Sequence, residues 1–228
     1  MKIGIIIPAA GFGQRFGHEV PKQYHALDQA PIIVHTLRTV LGIDSVTSVV
    51  VAVSPTDTMF DAICREHHVT DARLHTTVGG AERQHSIMNA LDHVSLSDVD
   101  VILVHDAVRP LASDGLFTRV ALMAFEKGAC VPVITIDDTI KRVEADRVVG
   151  TVPRHDLRRA QTPQGFTPNV LRTAYNEAMR SNVLGTDDAS LAEACGITVY
   201  TVDGEPWNTK ITTPFDLAVA ASLMARNS

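Results

Sequence analysis

Short runs of apolar residues, separated by segments with helical periodicity, recur along this chain. The first run, Ile3–Ile7, lacks the polar alternation of a half-exposed strand and is typical of a parallel strand covered on both faces. Strands are predicted at 2–7, 48–53, 101–105, 130–135 and 197–202, and helices at 31–41, 56–67, 83–95, 114–127, 168–182 and 188–195. A last helix is predicted from Pro214, because Thr213 and Asp216 form a capping-box pattern. This alternation predicts an α/β sandwich around a mostly parallel sheet.

The composition limits the kind of protein and the kind of partner. A chain of 228 residues can bury one sizeable core, so residues 1–228 are expected to form a single domain. The net charge of −6 gives no overall positive field, so we expect no nucleic-acid partner, and no apolar run is long enough to predict a membrane span. Cys64, Cys130 and Cys195 lie far apart, which indicates reduced thiols in a cytoplasmic protein and not a disulfide frame or a zinc site.

One segment departs from the alternation of strands and helices. Residues 139–143, 144–147 and 148–152 read as strand, polar turn and strand, which predicts a protruding β-hairpin arm at about 137–157. An isolated hairpin is marginally stable, so the arm is expected to pack on another surface. Packing on a second copy of the chain and folding back on its own domain are about equally compatible with the sequence.

The first apolar run ends in a loop of small residues, Pro8-Ala9-Ala10-Gly11-Phe12-Gly13-Gln14-Arg15, and Lys22 follows shortly after. Small residues let backbone N–H groups approach a ligand, and Arg15 and Lys22 add two positive charges. This combination is typical of a site for phosphate groups. A dinucleotide fingerprint fails because Phe16 stands at the third glycine position, and the G-K-[ST] of a P-loop is missing.

A glycine pair, Gly79-Gly80, follows the strand-like Leu74–Val78 and leads into a predicted helix. Backbone without side chains can lie against a flat ring. Arg83 and Ser86 fall in the first helical turn, where N–H groups can face a ligand. Taken alone, the segment favours an ordinary strand-to-helix connection with an exposed Arg83.

Asp106 follows the apolar strand at 101–105, at the carboxyl edge where open α/β sheets bind ligands. A carboxylate there can hold Mg²⁺ or a ribose hydroxyl, since Mg²⁺ needs only one or two carboxylates when phosphates complete its shell. A structural ion pair with Arg109 explains the residue equally well. Both interpretations remain open, and both can hold together.

Further cations occur late in the chain, and each has two interpretations. Arg154, Arg158 and Arg159 either bind a second phosphate or form a solvated basic face on the hairpin stem. Lys210, in Asn208-Thr209-Lys210, is either a third cation facing phosphate or an exposed loop lysine.

Eight motifs in a fixed order carry a resemblance to a known family. They are P-A-A-G-F-G-Q-R at 8–15, P-K-Q-Y at 21–24, G-G-A-E-R-Q-H-S at 79–86, H-D-A-V-R-P at 105–110, D-T-I-K-R at 138–142, Q-T-P-Q-G-F at 161–166, T-D-D-A-S at 186–190 and N-T-K-I-T at 208–212. Together they resemble the 2-C-methyl-D-erythritol 4-phosphate cytidylyltransferases of the non-mevalonate isoprenoid pathway, over nearly the whole chain. The resemblance implies a Rossmann-like three-layer sandwich of the nucleotide-diphospho-sugar transferase type.

The resemblance also implies an activity. The chain would transfer CMP from CTP to 2-C-methyl-D-erythritol 4-phosphate, giving 4-diphosphocytidyl-2-C-methyl-D-erythritol and pyrophosphate, with Mg²⁺ as cofactor. Such a transfer needs positioning and charge neutralisation more than a covalent nucleophile. The enzyme would act as a cytoplasmic homodimer.

Roles for individual residues follow from the matching positions. The catalytic residues, which would stabilise charge at the α-phosphate, are Arg15, Lys22 and Lys210. The nucleotide-binding residues are Pro8, Ala9, Ala10, Gly11, Gly13, Gly80, Arg83, Ser86, Asp106 and Ala107, and Asp106 is also the candidate metal ligand. The residues for the polyol phosphate are Arg109, Thr139, Arg154, Thr162 and Thr186. In the family, Thr139 and Arg154 come from the hairpin arm of the other subunit.

Two departures from the family pattern keep alternatives open. Trp207 stands where the family often has an acidic residue, with Glu205 or Asp203 as candidates to replace it, and Ala81 stands where some relatives have Asp. One alternative is a sister cytidylyltransferase for another polyol phosphate such as ribitol 5-phosphate. A non-catalytic nucleotide-binding protein is the other, disfavoured because the three catalytic cations are all present.

Overall fold

A central sheet of eight strands forms the middle layer of this computed structural model, which describes residues 1–11 and 20–225. The strands are β1 (Ile3–Pro8), β2 (Ala26–Leu27), β3 (Ala30–Pro31), β4 (Val46–Val53), β5 (Leu74–Val78), β6 (Val101–Val104), β7 (Ala129–Thr135), β8 (Ile140–Glu144), β9 (Arg147–Val152), β10 (Arg158–Ala160), β11 (Gln164–Phe166) and β12 (Tyr200–Asp203). The helices are α1 (Ile32–Gly42), α2 (Phe60–Glu66), α3 (Arg83–Leu91), α4 (Asp114–Lys127), α5 (Pro168–Ser181), α6 (Asp188–Ala194) and α7 (Pro214–Met224). Single 3-10 turns occur at Lys22–Tyr24 and Val94–Leu96.

The sheet has the order β10-β7-β11-β6-β1-β4-β5, and β12 pairs with β7. The half formed by β6, β1, β4 and β5 is parallel throughout, as the apolar runs predict. In the other half β12 is parallel to β7, whereas β10 and β11 run antiparallel to their neighbours. Periodicity did not predict β10 and β11, because each has only three residues and neither contains an apolar run. The mostly parallel sheet is confirmed, with a mixed half added.

Helices cover both faces of the sheet and bury every residue of β1 except the last, Pro8. Ile5 and Ile7 pack in a core with residues of α1, α2 and α4, and Ile6 packs in a second core with residues of α3, α5 and α6. Each such isoleucine stabilises the fold by about 1.5–3 kcal/mol through burial. The three-layer sandwich is therefore confirmed. Because both faces are covered, the free edge for ligands is the one where the parallel strands end.

Several element boundaries differ from the predicted ones for local reasons. Helix α2 begins at Phe60 and not at residue 56, because the Asp57 carboxylate accepts the N–H groups of Met59 and Phe60 and ties the preceding residues into a turn. Helix α3 ends at Leu91, before a separate turn in which His93 and Ser95 bond each other at 2.7 Å.

The start of the last helix is as predicted. Thr213 Oγ1 accepts the N–H of Asp216 at 3.2 Å, and the Asp216 carboxylate accepts the N–H of Thr213 at 2.8 Å. Both orphan donors at this end are thus satisfied by the capping box, and Pro214 opens the helix. In the part of the chain that the structure describes, no helix combines the length and the apolar character needed to cross a bilayer.

The predicted hairpin arm is present as β8 and β9. Among the strands in residues 1–11 and 20–225, these two pair only with each other and form a sheet separate from the central one. Val148 on this arm is 62% exposed. The hairpin therefore carries apolar side chains that the described part of its own chain leaves uncovered.

Candidate active site

A cleft of about 160 Å³ opens at the carboxyl ends of β1 and β6 and at the start of α3. Ala81 and Glu82 line it together with eight residues predicted from the sequence, which are Pro8, Ala10, Gly11, Gly80, Arg83, Ser86, Asp106 and Lys210. Segments far apart in the sequence therefore form one site.

Asp106 lies at the centre of the charged groups in this cleft. Its carboxylate is 3.0 Å from Lys210 Nζ, 3.2 Å from Arg109 Nε and 3.5 Å from Arg83 Nε. Burial alone would raise the pKa of Asp106, but Arg83, Lys210 and Arg109 hold that pKa well below its ordinary value. The ion pair with Arg109 is thus confirmed, and Lys210 is an exposed loop lysine that nevertheless pairs with Asp106. A ligand role for Asp106 stays a prediction.

Arg83 bridges Asp106 and a second carboxylate. Its Nη1 and Nη2 donate to Asp188 at 3.0 and 2.7 Å, a bidentate pair with a side chain that is fully buried. Burial tends to lower the pKa of Arg83, but Asp188 and Asp106 together raise it above its ordinary value. The interpretation of an exposed Arg83 was wrong. Asp188 lies in the motif T-D-D-A-S, but nothing in the spacing of that motif along the chain predicts a pairing with Arg83.

The glycine pair before α3 is explained by close packing of backbone. A Cβ on Gly79 would lie 2.3 Å from Ala10 Cβ, and one on Gly80 would lie 2.3 Å from His85 Cβ. Ser86 Oγ accepts the N–H of Gly80 at 3.1 Å and donates to the Glu82 carbonyl at 3.1 Å. The hydroxyl therefore fixes the loop shape, which leaves backbone exposed to the cleft. Contact of Ser86 and Gly80 with a base stays a prediction.

The turn that carries Lys22 is attached directly to the end of β1. Gln23 is buried, and its Nε2 donates to the Ala9 carbonyl at 2.6 Å. Lys22 is therefore held beside the glycine loop, half-buried in the 3-10 turn. Sequence reasoning quoted Gln23 within P-K-Q-Y without giving it this role. Arg15 and Gly13 lie outside the described residues, and their predicted roles stay predictions.

Comparison with known proteins agrees with this geometry. The IspD family model, described as 2-C-methyl-D-erythritol 4-phosphate cytidylyltransferase, matches residues 3–226. A Bacillus cytotoxicus protein of that name is 39% identical over 221 residues, covering 96% of each chain, and a Frankia casuarinae protein of that name is 41% identical over 99% of this chain and 82% of its own. The Thermus thermophilus crystal structure of that name superposes with a TM-score of 0.82 at 33% identity, covering 99% of this chain and 100% of the other.

This chain belongs to the 2-C-methyl-D-erythritol 4-phosphate cytidylyltransferase family. The resemblance drawn from eight short motifs is thereby confirmed. In this cytidylyltransferase family member, several of the motifs supply residues that face the cleft or hold it together, whereas D-T-I-K-R lies on the hairpin arm.

His105 and Thr162 are among the residues that hold the cleft together. His105 is fully buried, its ring centre lies 4.8 Å from that of Phe117, and burial lowers its pKa to about 4. The imidazole is therefore neutral at pH 7. Its Nε2 donates to the Arg109 carbonyl at 3.1 Å, so its Nδ1 accepts from the Thr162 hydroxyl, also at 3.1 Å. The same hydroxyl accepts the N–H of Asp106 at 3.1 Å, which fixes the loop before Arg109.

The other residues predicted to bind the polyol phosphate are spread out. Arg109 lines a second cleft, of about 280 Å³, that shares Lys210 with the first. Thr186 is exposed in the loop before α6, and Thr139 and Arg154 are exposed at the base of the hairpin arm. Within one described chain, Arg109 and Thr162 are thus the members of this group that touch Asp106.

Ala9 and Ala107 are buried and interact through their backbone. The Ala9 carbonyl accepts from Gln23, and the Ala107 carbonyl accepts the Thr36 hydroxyl at 3.0 Å. Neither is among the residues that line the first cleft. Their assignment to nucleotide binding stays a prediction.

Glu205, a candidate to replace the acidic residue missing at Trp207, is engaged by neighbouring side chains and backbone, and its contact with a substrate stays a prediction. Its buried carboxylate accepts the N–H of Ser113 at 3.1 Å and also the Ser113 hydroxyl, and Arg119 pairs with it at 3.3 Å. Asn208, two residues before Lys210, is also buried and donates to the Thr162 carbonyl at 2.8 Å. This part of the sequence therefore anchors the loop that brings Lys210 to Asp106. Trp207 itself is 47% exposed.

Proposed function

We propose that this chain transfers CMP from CTP to 2-C-methyl-D-erythritol 4-phosphate and releases pyrophosphate, the reaction for which its family is named. The observation that carries the proposal is the convergence of Lys210, Arg109 and Arg83 on Asp106, in a cleft walled by the backbone of Gly80 and Gly11. Such a cleft suits a nucleotide with a negatively charged triphosphate.

The chemistry requires placement and charge neutralisation. An oxygen of the polyol phosphate attacks the α-phosphorus of CTP, a new P–O bond forms, and the bond to the β-phosphate bridging oxygen breaks to release pyrophosphate. A phosphate monoester is largely ionised near pH 7, because its second pKa is about 6, so its attack needs no strong base. Lys22 and Lys210 would stabilise the negative charge that develops on the α-phosphoryl oxygens. Lys210 would leave Asp106 for the phosphate when the nucleotide binds.

Mg²⁺ as cofactor rests on the donor set. Within residues 1–11 and 20–225 no cluster of three His, Cys, Asp or Glu side chains could hold a metal ion. Asp106 fits as a single carboxylate ligand for an ion carried by CTP, since phosphates can complete the shell of Mg²⁺. When bound, Mg²⁺ would neutralise charge on the transferring phosphates. We expect Asp106→Asn to raise the Mg²⁺ concentration needed for half-maximal rate, and an unchanged requirement would contradict this assignment.

The second cleft suits the polyol phosphate. It joins the nucleotide cleft at Lys210, and Arg109 and Arg159 line it. Arg158, by contrast, donates to the carbonyls of His155 and Leu157 at 2.8 Å. Arg159→Ala should raise KM for the polyol phosphate about tenfold, the effect of losing one charge-assisted bond, and Arg158→Ala is the matched control. Equal effects of the two substitutions would remove Arg159 from the site.

A homodimer would supply the residues that one chain leaves apart. The hairpin arm carries exposed Val143 and Val148 as well as Thr139 and Arg154 near its base, which supports packing on a second copy. In that arrangement each site takes Thr139 and Arg154 from the other chain. Light scattering on the eluted protein should give the mass of two chains, and a monomeric mass would count against the arm's proposed role.

Mixing two impaired variants tests the shared site directly, at polyol phosphate concentrations well below KM. Lys210→Ala disables a site in the chain that carries it, whereas Arg154→Ala would lower kcat/KM about tenfold at the site of its partner. In a mixture of the two, half of the dimers are mixed and keep one intact site, so activity should return to about a quarter of the wild-type level. No recovery after subunit exchange would mean that Arg154 acts within its own chain.

The deciding experiment is pyrophosphate release with CTP and a panel of polyol phosphates. We expect 2-C-methyl-D-erythritol 4-phosphate to give the highest kcat/KM. Faster turnover of ribitol 5-phosphate would transfer the assignment to a sister activity, and a lack of release with every acceptor would favour a non-catalytic nucleotide-binding protein.

A cytoplasmic location is also part of the proposal, supported by three free cysteines, of which Cys64 and Cys130 are buried.

A further inference from the structure

Asp188 is a fully buried carboxylate to which the chemistry above gives no task. It accepts two hydrogen bonds from Arg83 and a short one from the Tyr175 hydroxyl. Burial and the neighbouring Asp188 raise the pKa of Tyr175 well above its ordinary value, so its hydroxyl remains a donor at neutral pH. Arg83 and Tyr175 therefore donate three hydrogen bonds to one carboxylate, which contacts Arg83 but does not itself line the first cleft.

The backbone around Asp188 is itself held in place. Gln164 donates to the Asp187 carboxylate at 2.7 Å and accepts the N–H of Ala189 at 2.9 Å, which fixes the start of α6. Gln84 donates to the Val183 carbonyl at 3.0 Å and accepts the N–H of Gly185 at 3.0 Å. The loop before α6 is thus attached both to β11 and to α3, and Asp188 is a rigid anchor for Arg83.

The anchor decides which way the Arg83 guanidinium faces. Its two Nη atoms are used by Asp188, and its Nε lies 3.5 Å from Asp106, beyond the usual length of a direct hydrogen bond. An arginine side chain is long and flexible, so without Asp188 the guanidinium would turn onto the remaining anion, Asp106. A direct Arg83–Asp106 pair would then occupy the place that the nucleotide needs.

We propose that Asp188 is a positioning residue for nucleotide binding, which keeps the Arg83 guanidinium from closing its 3.5 Å ion pair with Asp106 into a direct hydrogen bond and so keeps the cleft open to CTP. This inference rests on the proposed function, because it takes the cleft to be the CTP site. It predicts an effect on CTP affinity more than on the chemical step, since Asp188 does not line the cleft.

The first test is the near-isosteric Asp188→Asn, examined by calorimetric titration with CTP and by steady-state kinetics. We expect Kd and KM for CTP to rise about tenfold, the effect of losing a charged hydrogen-bond acceptor, while kcat at saturating CTP changes less than about twofold. Tyr175→Phe removes one donor and keeps the bidentate pair, so its effect on CTP affinity should be smaller. Unchanged CTP affinity in a cooperatively folded Asp188→Asn variant would overturn the proposal.

A double-mutant cycle separates positioning from general support of the fold. If Asp188 acts through Arg83, then Asp188→Asn has little further effect on CTP affinity in an Arg83→Gln background. A purely structural role predicts that the two losses add. The double variant is also neutral at both positions, so it remains measurable if Asp188→Asn alone unfolds with an unpaired Arg83.

Titration with CTP keeps this test apart from that of the proposed function. Binding requires no turnover, so a chain that binds CTP but accepts no polyol phosphate would still report on Asp188. Conversely, the enzyme can be active while the losses of CTP affinity caused by Asp188→Asn and Arg83→Gln simply add. That result would reject the role of Asp188 and leave the proposed reaction intact. Thermal unfolding of all three variants shows whether each affinity refers to folded protein.

Discussion

The first cleft and the hairpin arm hold their predicted site residues in opposite settings. At the cleft, Arg83, Lys210 and the neighbouring Arg109 meet one buried carboxylate within 3.5 Å. On the arm, Thr139 and Arg154 are exposed, and among the described strands β8 and β9 pair only with each other. Parallel strands bring distant segments together at one sheet edge, whereas a hairpin without a core positions residues only against another surface. The described part of the cleft is therefore assembled from residues of one chain, and the arm's contribution depends on what it packs against.

The largest expected effect is at Lys22, in the turn attached to the end of β1. Lys22→Ala should lower kcat by at least about a hundredfold, because it would remove a cation proposed to stabilise charge in the transition state. Lys127→Ala, at an exposed lysine that ends α4, is the control and should leave kcat unchanged. Steady-state pyrophosphate release measures both. Near-normal turnover of Lys22→Ala would remove this residue from the mechanism and weaken the contrast with the arm.

The buried imidazole of His105 makes the stability of the fold depend on pH. The pKa of His105 is lowered to about 4 in the fold, against an ordinary value of 6.5. The unfolded chain therefore binds more protons between these values, so stability falls as pH drops below 6.5. The loss from pH 7 to pH 5 should be about 2 kcal/mol. Urea unfolding of the wild type and of His105→Gln at both pH values tests this. An equal change in the free energy of unfolding between pH 7 and pH 5 in the two proteins would contradict it.

Arg154→Ala probes the arm. It should raise KM for the polyol phosphate about tenfold and KM for CTP much less, because it would remove one phosphate contact and leave the nucleotide cleft unaltered. Arg147→Ala, at an exposed position near the tip of the same hairpin, is the matched control. If both Michaelis constants rose equally, the arm would not be specific for the polyol phosphate.

A smaller effect on kcat is expected from Gln23, which holds the loop after β1 in place and has no proposed contact with a substrate. Gln23→Leu removes the bond to the Ala9 carbonyl, so it should destabilise the fold by about 1–3 kcal/mol and lower kcat several-fold through a displaced Lys22. Gln29→Leu, at an exposed position six residues later, should change neither. Thermal unfolding and kinetics on the same samples separate the two effects. Loss of stability with unaltered kcat would make Gln23 a structural residue alone.

Local patterns predicted the strands that carry the cleft, because a strand covered on both faces must be apolar throughout, as β1 and β6 are. They also predicted the start of α7, since a capping box lies within four residues. The short strands β10 and β11 escaped prediction because their pairing with longer neighbours, and not their own composition, makes them strands. The eight motifs identified the family without any structure.

The sequence by itself determined the class of fold, the glycine-walled edge, the cations available to a phosphate, and the family. Only the tertiary structure decided which anion each cation meets. Arg83 pairs with Asp188, which lies 105 residues away along the chain. Glu205, a candidate to replace the acidic residue missing at 207, bonds Ser113 and Arg119. The physical reason is that a buried charge is stable only beside its partner, and the packing of helices and sheet, not spacing along the chain, brings that partner near.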